Sequence, residues 1–335
     1  MSVEDDFHTH VIRDAAVRRG FRDFHVLECD RISGRPGLTW SSHGDTPSTV
    51  LTSEGRTVPL DAVSVLWWRR MRANQQASAR ASTDHQRRLV DNDSRGALDG
   101  ILAASFRGQW VSSPEATDRA ADKLYQLSVA REAGFRVPRT LVSQSRDEVE
   151  EFARTVERVI VKPVVGATGP LMFTQYVDDP RAIPEESFSV CPAVYQEYIP
   201  GRRHIRLNCF GERMYAALIE SDRLDWRPDL NVPVSRWEVP PGVGHRVAEV
   251  LRRLGLRMGA IDIKLTPDGE PVWLEVNPQG QFLFLQPLLG EPFDEYFLDF
   301  LLSCANADAR PAPGVFARPA APAWAAAGRT SCEDG

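Results

Sequence analysis

Asp262, Glu275 and Asn277 have the residue types and the spacing that point most directly to chemistry. The run Gly259-Ala260-Ile261-Asp262-Ile263-Lys264 is followed by Pro267-Asp268-Gly269 and then by Val272-Trp273-Leu274-Glu275-Val276-Asn277-Pro278. A Pro-Asp-Gly turn between two apolar runs predicts a hairpin. Glu275 and Asn277 are two residues apart, so a strand turns both to one face while their apolar neighbours turn to the other. Asp262 on the partner strand reaches that same face. Two carboxylates and an amide are hard oxygen donors, the set that suits Mg²⁺, which keeps waters and binds substrate phosphates. The same residues also fit the polar face of a half-exposed strand, so a second signal has to decide.

That signal comes from the cations. Of 40 Lys and Arg residues only three are lysines, Lys123, Lys162 and Lys264. Lysine is a compact point charge and arginine a planar fork, so a lysine kept among arginines is worth attention. Lys162 follows Val159-Ile160-Val161, a run that reads as a buried strand. Pro163 and a loop containing Gly166, Thr168 and Gly169 come next. Backbone N–H groups of such a loop can cradle an anion, and a lysine fixed by a strand can meet a phosphate. The plainer reading is a surface lysine beside an unrelated turn. Lys123 falls in a helical stretch over 115–133, where a solvated face is the plainer reading. Gln196-Glu197-Tyr198-Ile199 closes a strand before Pro200-Gly201 and reads as a connector. Arg206 lies in a strand, where a lone Arg is usually a surface residue. Asp225-Trp226-Arg227 lies in a loop, as a packed anchor or as part of a site.

Composition narrows the classes. The 335 residues are 42% hydrophobic and 26% charged, an ordinary globular balance with length for two or three folded units. A net charge of -6 argues against broad nucleic-acid binding. No apolar run is long enough to span a bilayer, and the first ten residues are acidic and polar rather than signal-like, so a cytoplasmic location is expected. Cys29, Cys191, Cys209, Cys304 and Cys332 are widely spaced and read as free thiols. His8 and His10 read as a solvated pair. There is no P-loop, no dinucleotide fingerprint, no H-E-x-x-H and no G-x-S-x-G elbow, so a nucleotide enzyme would need another phosphate device.

Certain elements must hold these residues in place. A helix over 11–20 ends at Gly20, a short strand covers 24–27, and a buried strand covers 62–68. Residues 73–82 read as a loop or an exposed helix. Helices follow over 89–106, 115–133 and 147–156, with strands over 137–142 and 159–161. The second half is rich in strands, over 193–199, 204–209, 213–220, 260–265 and 271–276. One amphipathic helix interrupts them, carrying Val247, Val250, Leu251 and Leu254 on one face. From 306 the chain is Ala/Pro-rich and reads as a disordered tail. The fold class is α/β with an α+β second half, and no internal repeat is evident.

The order of features (helix with Lys, strand with Lys-Pro, glycine loop, Gln-Glu-Tyr-Ile hinge, Arg strand, Asp…Glu-x-Asn hairpin) resembles the ATP-grasp superfamily over 112–302. Within it the chain is most similar to graspetide synthetases, the microviridin-type ribosomal peptide maturases. The closer match rests on Trp67-Trp68-Arg69-Arg70, Gly108-Gln109-Trp110-Val111-Ser112-Ser113-Pro114, Asp225-Trp226-Arg227 and Glu275-Val276-Asn277-Pro278-Gln279-Gly280-Gln281-Phe282. Gln286, where relatives are usually acidic, and Asn92-Asp93 depart from the pattern.

The resemblance implies a pre-ATP-grasp α/β domain over 1–111, a central subdomain over 112–195, a C-terminal antiparallel-sheet subdomain over 196–305 and a tail over 306–335. The nucleotide would lie between the central and C-terminal subdomains. Lys123 and Lys162 would contact ATP phosphates, with Gly166, Thr168 and Gly169 in the loop above. The backbone of Glu197 and Ile199, in the segment Gln196, Glu197, Tyr198, Ile199, would pair with adenine. Asp262, Glu275 and Asn277 would hold two Mg²⁺. Arg206 and Arg227, with Asp225, would face the γ-phosphate and an acyl phosphate. The implied reaction joins an Asp or Glu side chain of a precursor peptide to Ser, Thr or Lys, forming ADP and phosphate. The implied partner is that peptide, with leader and core, and a homodimer is allowed. Two alternatives stand beside it: a ligase that adds a free amino acid or amine, as glutathione-synthetase-like enzymes do, and a nucleotide-binding protein without catalysis.

Overall fold

The computed structural model describes the chain apart from residues 36, 44–46, 71–74, 77–80, 166–173, 229–230 and 307–335. Most of the 73–82 stretch, the 306–335 stretch beyond its first residue, and Gly166, Thr168 and Gly169 lie outside the described residues.

The N-terminal part is a small α/β unit, as its alternating pattern predicts. Helix α1 (Phe7–Arg18) starts at Asp6, whose carboxylate accepts from the His8 N–H at 3.2 Å. Strands β1 (Thr49–Leu51) and β2 (Thr57–Pro59) form an antiparallel hairpin. Strand β3 (Val65–Trp67) pairs in parallel with β4 (Gln109–Val111). Parallel pairing needs a crossover, and α2 (Asp84–Ser105) supplies it. The Thr83 hydroxyl and the Gln86 side chain close its start as a capping box. The strand expected over 24–27 does not form. Val26 and Leu27 are buried, but among the described residues this backbone meets scattered partners, Ser2 and Ser53, rather than a neighbouring strand. Apolar side chains alone do not make a strand where no ladder is on offer.

The single helix expected over 115–133 is two. Helix α3 (Pro114–Ala120) stops, and α4 (Lys123–Glu132) begins afresh at Asp122, whose carboxylate accepts from the N–H groups of Leu124 at 2.9 Å and Tyr125 at 3.1 Å. An Asp that satisfies two orphan donors nucleates a helix start there. Lys123 is therefore the first residue of a helix, not a mid-helix surface residue.

The next layer is a four-stranded antiparallel sheet. Its strands are β5 (Thr140–Ser143), β6 (Val159–Pro163), β7 (Gln175–Val177) and β8 (Ala193–Glu197), in the order β5-β8-β6-β7. Helices α5 (Arg146–Arg154) and α6 (Glu185–Val190) complete a small core around Val149, Val159, Phe188 and Tyr195.

The largest sheet has five antiparallel strands. These are β9 (Arg203–Phe210), β10 (Arg213–Glu220), β11 (Val234–Arg236), β12 (Met258–Leu265) and β13 (Pro271–Asn277), in the order β11-β10-β9-β12-β13. Gly269 takes φ +94° in the turn between the last two strands, as the Pro-Asp-Gly sequence predicts. Helix α7 (Pro241–Leu254) buries Val247, Val250, Leu251 and Leu254 in one core, together with α3, α4, Ile205, Leu207, Ile261 and Ile263. Each such side chain contributes roughly 2 kcal/mol by leaving water. A second core joins the sheet to α8 (Leu285–Leu289), α9 (Phe293–Asn306), Ile12 of α1 and Trp67 of β3, through Phe210, Phe282 and Phe297. Gln286 has a structural role: its Oε1 accepts from the Asp294 N–H at 3.1 Å in the first turn of α9. Among the described residues no helix is long and apolar enough to cross a membrane.

Candidate active site

Period-two alternation sorts the central strands of this sheet. Ile205, Leu207, Ile261, Ile263 and Leu265 go to the core, while His204, Arg206, Asp262 and Lys264 share the opposite face. Asp262 stands opposite Arg206 on β9 and opposite Glu275 on β13. An Arg-Asp-Glu row thus crosses three strands. Arg206 is no surface residue: it is 9% exposed, and its Nη1 donates to both Asp262 oxygens at 3.0 Å. Its Nη2 donates to the carbonyl of Gln281 at 2.9 Å.

Glu275 meets a cation from another element. The Lys123 Nζ is 3.5 Å from Glu275 Oε2. Gln126, one turn along α4, is hydrogen-bonded to both backbone groups of Val276 and so ties the helix to β13. Lys162 is the third member. Its Nζ donates to Gln196 Oε1 at 3.0 Å, and Gln196 Nε2 donates to Thr140 Oγ1 at 2.8 Å, a chain running across β6, β8 and β5.

The charges shape one another. Burial lowers the Lys162 ammonium to about 8, aided by Lys123 and Arg227 and opposed by Glu275. Burial pushes the Glu275 carboxyl up, but Lys123, Lys162 and Arg227 outweigh it and the net shift is downward. Asp262 moves the other way, because burial and the Glu275 charge outweigh Arg206. Two carboxylates so close cannot ionise independently. Arg227 forks onto Asp225, with Nε at 2.8 Å from Oδ1, and that pair raises the guanidinium and lowers the carboxyl.

These groups surround a cavity of about 300 Å³. Lys123, Lys162, Gln196, Glu197, Tyr198, Ile199, Asp225, Arg227, Asp262 and Glu275 all line it. Two of the expected residues that the structure describes do not. Arg206 lies behind Asp262. Asn277 keeps its place two residues beyond Glu275 but lines a neighbouring cavity, and its Oδ1 accepts from the Gln279 N–H at 2.9 Å. The Glu197 N–H is already used by the Arg139 carbonyl at 2.9 Å. His204, Ile160 and Leu274 line the cavity without having been singled out, and Trp226, weighed as an anchor or part of a site, lines it too. His204 was within reach of the alternation rule, being two residues from Arg206. The sequence carries no comparable mark on Ile160 or Leu274, which read as ordinary core.

The neighbouring cavity, of about 590 Å³, is lined by Trp68, Arg70, Arg95, Asp99, Asp118 and Gln279 among others. It shares the Lys123 and Glu275 walls with the first. Its far side comes from the N-terminal unit, so the two rooms meet at one ion pair.

The donor set fits Mg²⁺ of the substrate-bridging kind. Asp262, Glu275 and Asn277 offer oxygen only, and too few ligands to enclose a cation without waters or phosphates. Among the described residues no group of three His, Cys, Asp or Glu is placed to hold a metal ion by itself. In this state Arg206 and Lys123 stand at the two carboxylates.

His8 is not solvated. It is buried, and its Nε2 accepts from the N–H groups of Phe282 at 3.1 Å and Leu283 at 3.3 Å. Among the described residues Cys29, Cys191, Cys209 and Cys304 form no disulfide, and Cys332 lies outside the described residues.

Residues 120–281 match the model of the ATP-grasp domain family. No curated protein matches the sequence. The macrocyclase MdnC of Microcystis aeruginosa MRC, solved with the precursor peptide MdnA, is 25% identical, with a TM-score of 0.80 over 90% of this chain and 98% of that chain. A RiPP-associated ATP-grasp ligase of Chryseobacterium gregarium, solved with ADP and a leader and core peptide, is 22% identical, with a TM-score of 0.79 over 90% of this chain and 95% of that chain. The ATP-grasp ligase PsnB, solved with a phosphomimetic variant of a minimal precursor, Mg and ADP, is 22% identical, with a TM-score of 0.73 over 91% of this chain and 97% of that chain. Residues 120–281 are thus an ATP-grasp domain, and the chain as a whole shares the fold of the ATP-grasp ligases it matches.

Proposed function

We propose that this ligase activates Asp or Glu side chains of a ribosomally made precursor peptide and closes ω-ester or ω-amide rings with Ser, Thr or Lys. The observation that carries the reading is the meeting of two cavities at Lys123 and Glu275. The smaller has a nucleotide's set of groups, with hinge backbone, two lysines and metal-type oxygens. The larger opens beside it, has room for a peptide segment, and presents Arg70 and Arg95 to a carboxylate. The precursor peptides held by MdnC, PsnB and the C. gregarium ligase support the same class of substrate.

The residues divide the work. The Glu197 carbonyl and the Ile199 N–H meet the base edge. Lys162 and Lys123 hold the phosphates, with Gly166, Thr168 and Gly169 as the loop over them. Asp262, Glu275 and Asn277 would hold Mg²⁺, two ions in the proposed arrangement. When bound, Mg²⁺ supplies charge neutralisation and alignment of the phosphate oxygens. A peptide carboxylate oxygen attacks the γ-phosphorus, the bond to the β-phosphate oxygen breaks, and ADP departs. Arg206 and Arg227, the latter steered by Asp225, offset charge on the transferring group. A hydroxyl or amine of the same peptide then attacks the acyl phosphate carbon, losing a proton as phosphate leaves. Holding both partners in one cleft removes the translational cost of ring closure. Residues 1–111, 112–195 and 196–305 are the proposed working units. The first, with the central unit, binds the leader, and the enzyme acts in the cytoplasm.

Intact-mass analysis tests this. A candidate precursor, from a neighbouring short reading frame rich in Thr/Ser and Asp/Glu, is incubated with enzyme, ATP and Mg²⁺. Each ring removes one water. A mass gain equal to a building block identifies a free amino acid or amine ligase instead, and absence of ADP release with several such peptides overturns catalysis.

A further inference from the structure

Lys264 is the one lysine that the reading above leaves without a task. It is 4% exposed and lines the same cavity as the hinge and the metal-type oxygens. A buried ammonium is costly unless paired, yet among the described residues Lys264 makes no ion pair with a carboxylate within 4.0 Å. Its hydrogen-bond partner is His204, with Nζ 3.0 Å from Nε2. An ammonium only donates, so the Nε2 lone pair must accept. Among the described residues that bond is the one its ammonium makes, so two of its three N–H donors are left for something else.

Position narrows what that is. Lys264 follows Asp262 by two residues on β12, about 7 Å along the strand. The direction is toward the hinge. Leu265 comes next, its carbonyl packs on Gly201, and the Lys264 Nζ lies 5.9 Å from the centre of the Tyr198 ring. Lys264 thus stands between the Tyr198–Ile199 end of the cavity and the Asp262–Glu275 end. A nucleotide laid with its base at the first and its phosphates at the second puts its sugar over this point.

We propose that Lys264, oriented by His204, forms the ribose subsite, its two spare donors meeting the 2′ and 3′ hydroxyl oxygens of the nucleotide. The inference rests on the nucleotide reading of the cavity. Lys264 is the binding group. His204 is a positioning residue that fixes the ammonium without adding charge.

The test compares binding of Mg·ADP, Mg·2′-deoxy-ADP and Mg·2′,3′-dideoxy-ADP by calorimetry to the full-length wild type and to Lys264→Met. A hydrogen bond from a charged donor makes the wild type favour ADP over the dideoxy nucleotide by about tenfold or more. Lys264→Met shrinks that preference to about twofold or less by losing affinity for ADP alone. An unchanged preference in Lys264→Met overturns the assignment, as does an equal loss for all three nucleotides, the mark of a phosphate contact. A wild type that binds ADP without preferring it also overturns the ribose subsite and leaves the nucleotide reading standing. A wild type that binds none of the three overturns the nucleotide reading itself. Lys264→Gln, which keeps a donor for His204, is the second variant where Lys264→Met does not fold. It is expected to lose most of the preference, and full retention there overturns the proposal.

Discussion

Gln126 hydrogen-bonds both backbone groups of Val276: its Nε2 donates to the Val276 carbonyl at 2.8 Å, and its Oε1 accepts from the Val276 N–H at 2.8 Å. Val276 sits between Glu275 and Asn277 on β13, an edge strand among the described residues, which further along is bridged by Arg136 at Val272. One amide thus closes an open edge and sets α4 against the site, three residues after Lys123. Sheet edges need such cover. Gln126→Leu leaves a buried N–H and a buried carbonyl unsatisfied, so a loss of about 2–4 kcal/mol is expected in urea unfolding. Because α4 also carries Lys123, turnover should fall more than nucleotide affinity. A loss below about 0.5 kcal/mol contradicts this account.

Glu275 sits where Lys123, Lys162 and Arg227 converge and is held ionised by them against its burial. Glu275→Gln keeps the shape and removes the charge. ADP release with precursor should fall by on the order of 10²–10³ or more. Mg-free ADP affinity should not fall, because a repulsive carboxylate has gone. Circular dichroism and melting should report an intact fold. A variant that remains active and Mg-dependent contradicts the metal assignment.

The lysines set a pH dependence. Burial lowers both Lys162 and Lys264 to about 8 in the free protein. Nucleotide oxygens favour the charged forms, so binding takes up protons once pH passes about 8. ADP affinity should therefore fall as pH rises from 8 to 10, by up to tenfold per unit for each lysine that must be charged. Lys162→Arg, which stays charged, should flatten the slope by about one proton while Lys264 still titrates. Calorimetry in buffers of different ionisation enthalpy measures the uptake. An affinity independent of pH over that range rejects a phosphate role for Lys162.

Much of this site is written locally, and that part was legible. The Asp262–Glu275 pairing follows from a hairpin turn and period two, and Lys162 follows from a buried strand. Lys123 was harder, because the Asp122 cap that restarts the helix competes with a continuous helical pattern across 115–133. Arg206 reads as a surface residue until Asp262 and Gln281 are brought to it from 56 and 75 residues away. The missing strand over 24–27 has the same origin, since a ladder needs a partner that local sequence does not reveal. His8 and Arg69 were out of reach for that reason too.

Arg69 is fully buried and joins the N-terminal unit to the loop after Asn277. Its Nε donates to Asp6 at 2.5 Å and its Nη1 to the Gln279 carbonyl at 2.9 Å. His8, two residues from Asp6, takes the Phe282 and Leu283 N–H groups further along the same loop. Breaking a buried pair leaves one charge uncompensated. Arg69→Met should cost about 3–5 kcal/mol, while Asp6→Leu with Arg69→Met should recover part of that, since neither charge is then stranded. His8 adds a pH signature. Burial and the Arg69 charge hold it down to about 3, below its unfolded value of 6.5, so the unfolded chain takes the proton first. Its contribution is complete above about 6.5 and is lost as pH falls toward 3. His8→Gln should reduce the slope of stability against pH in that window. An unchanged slope, or an Arg69→Met protein as stable as wild type, would show that the loop does not depend on this clamp.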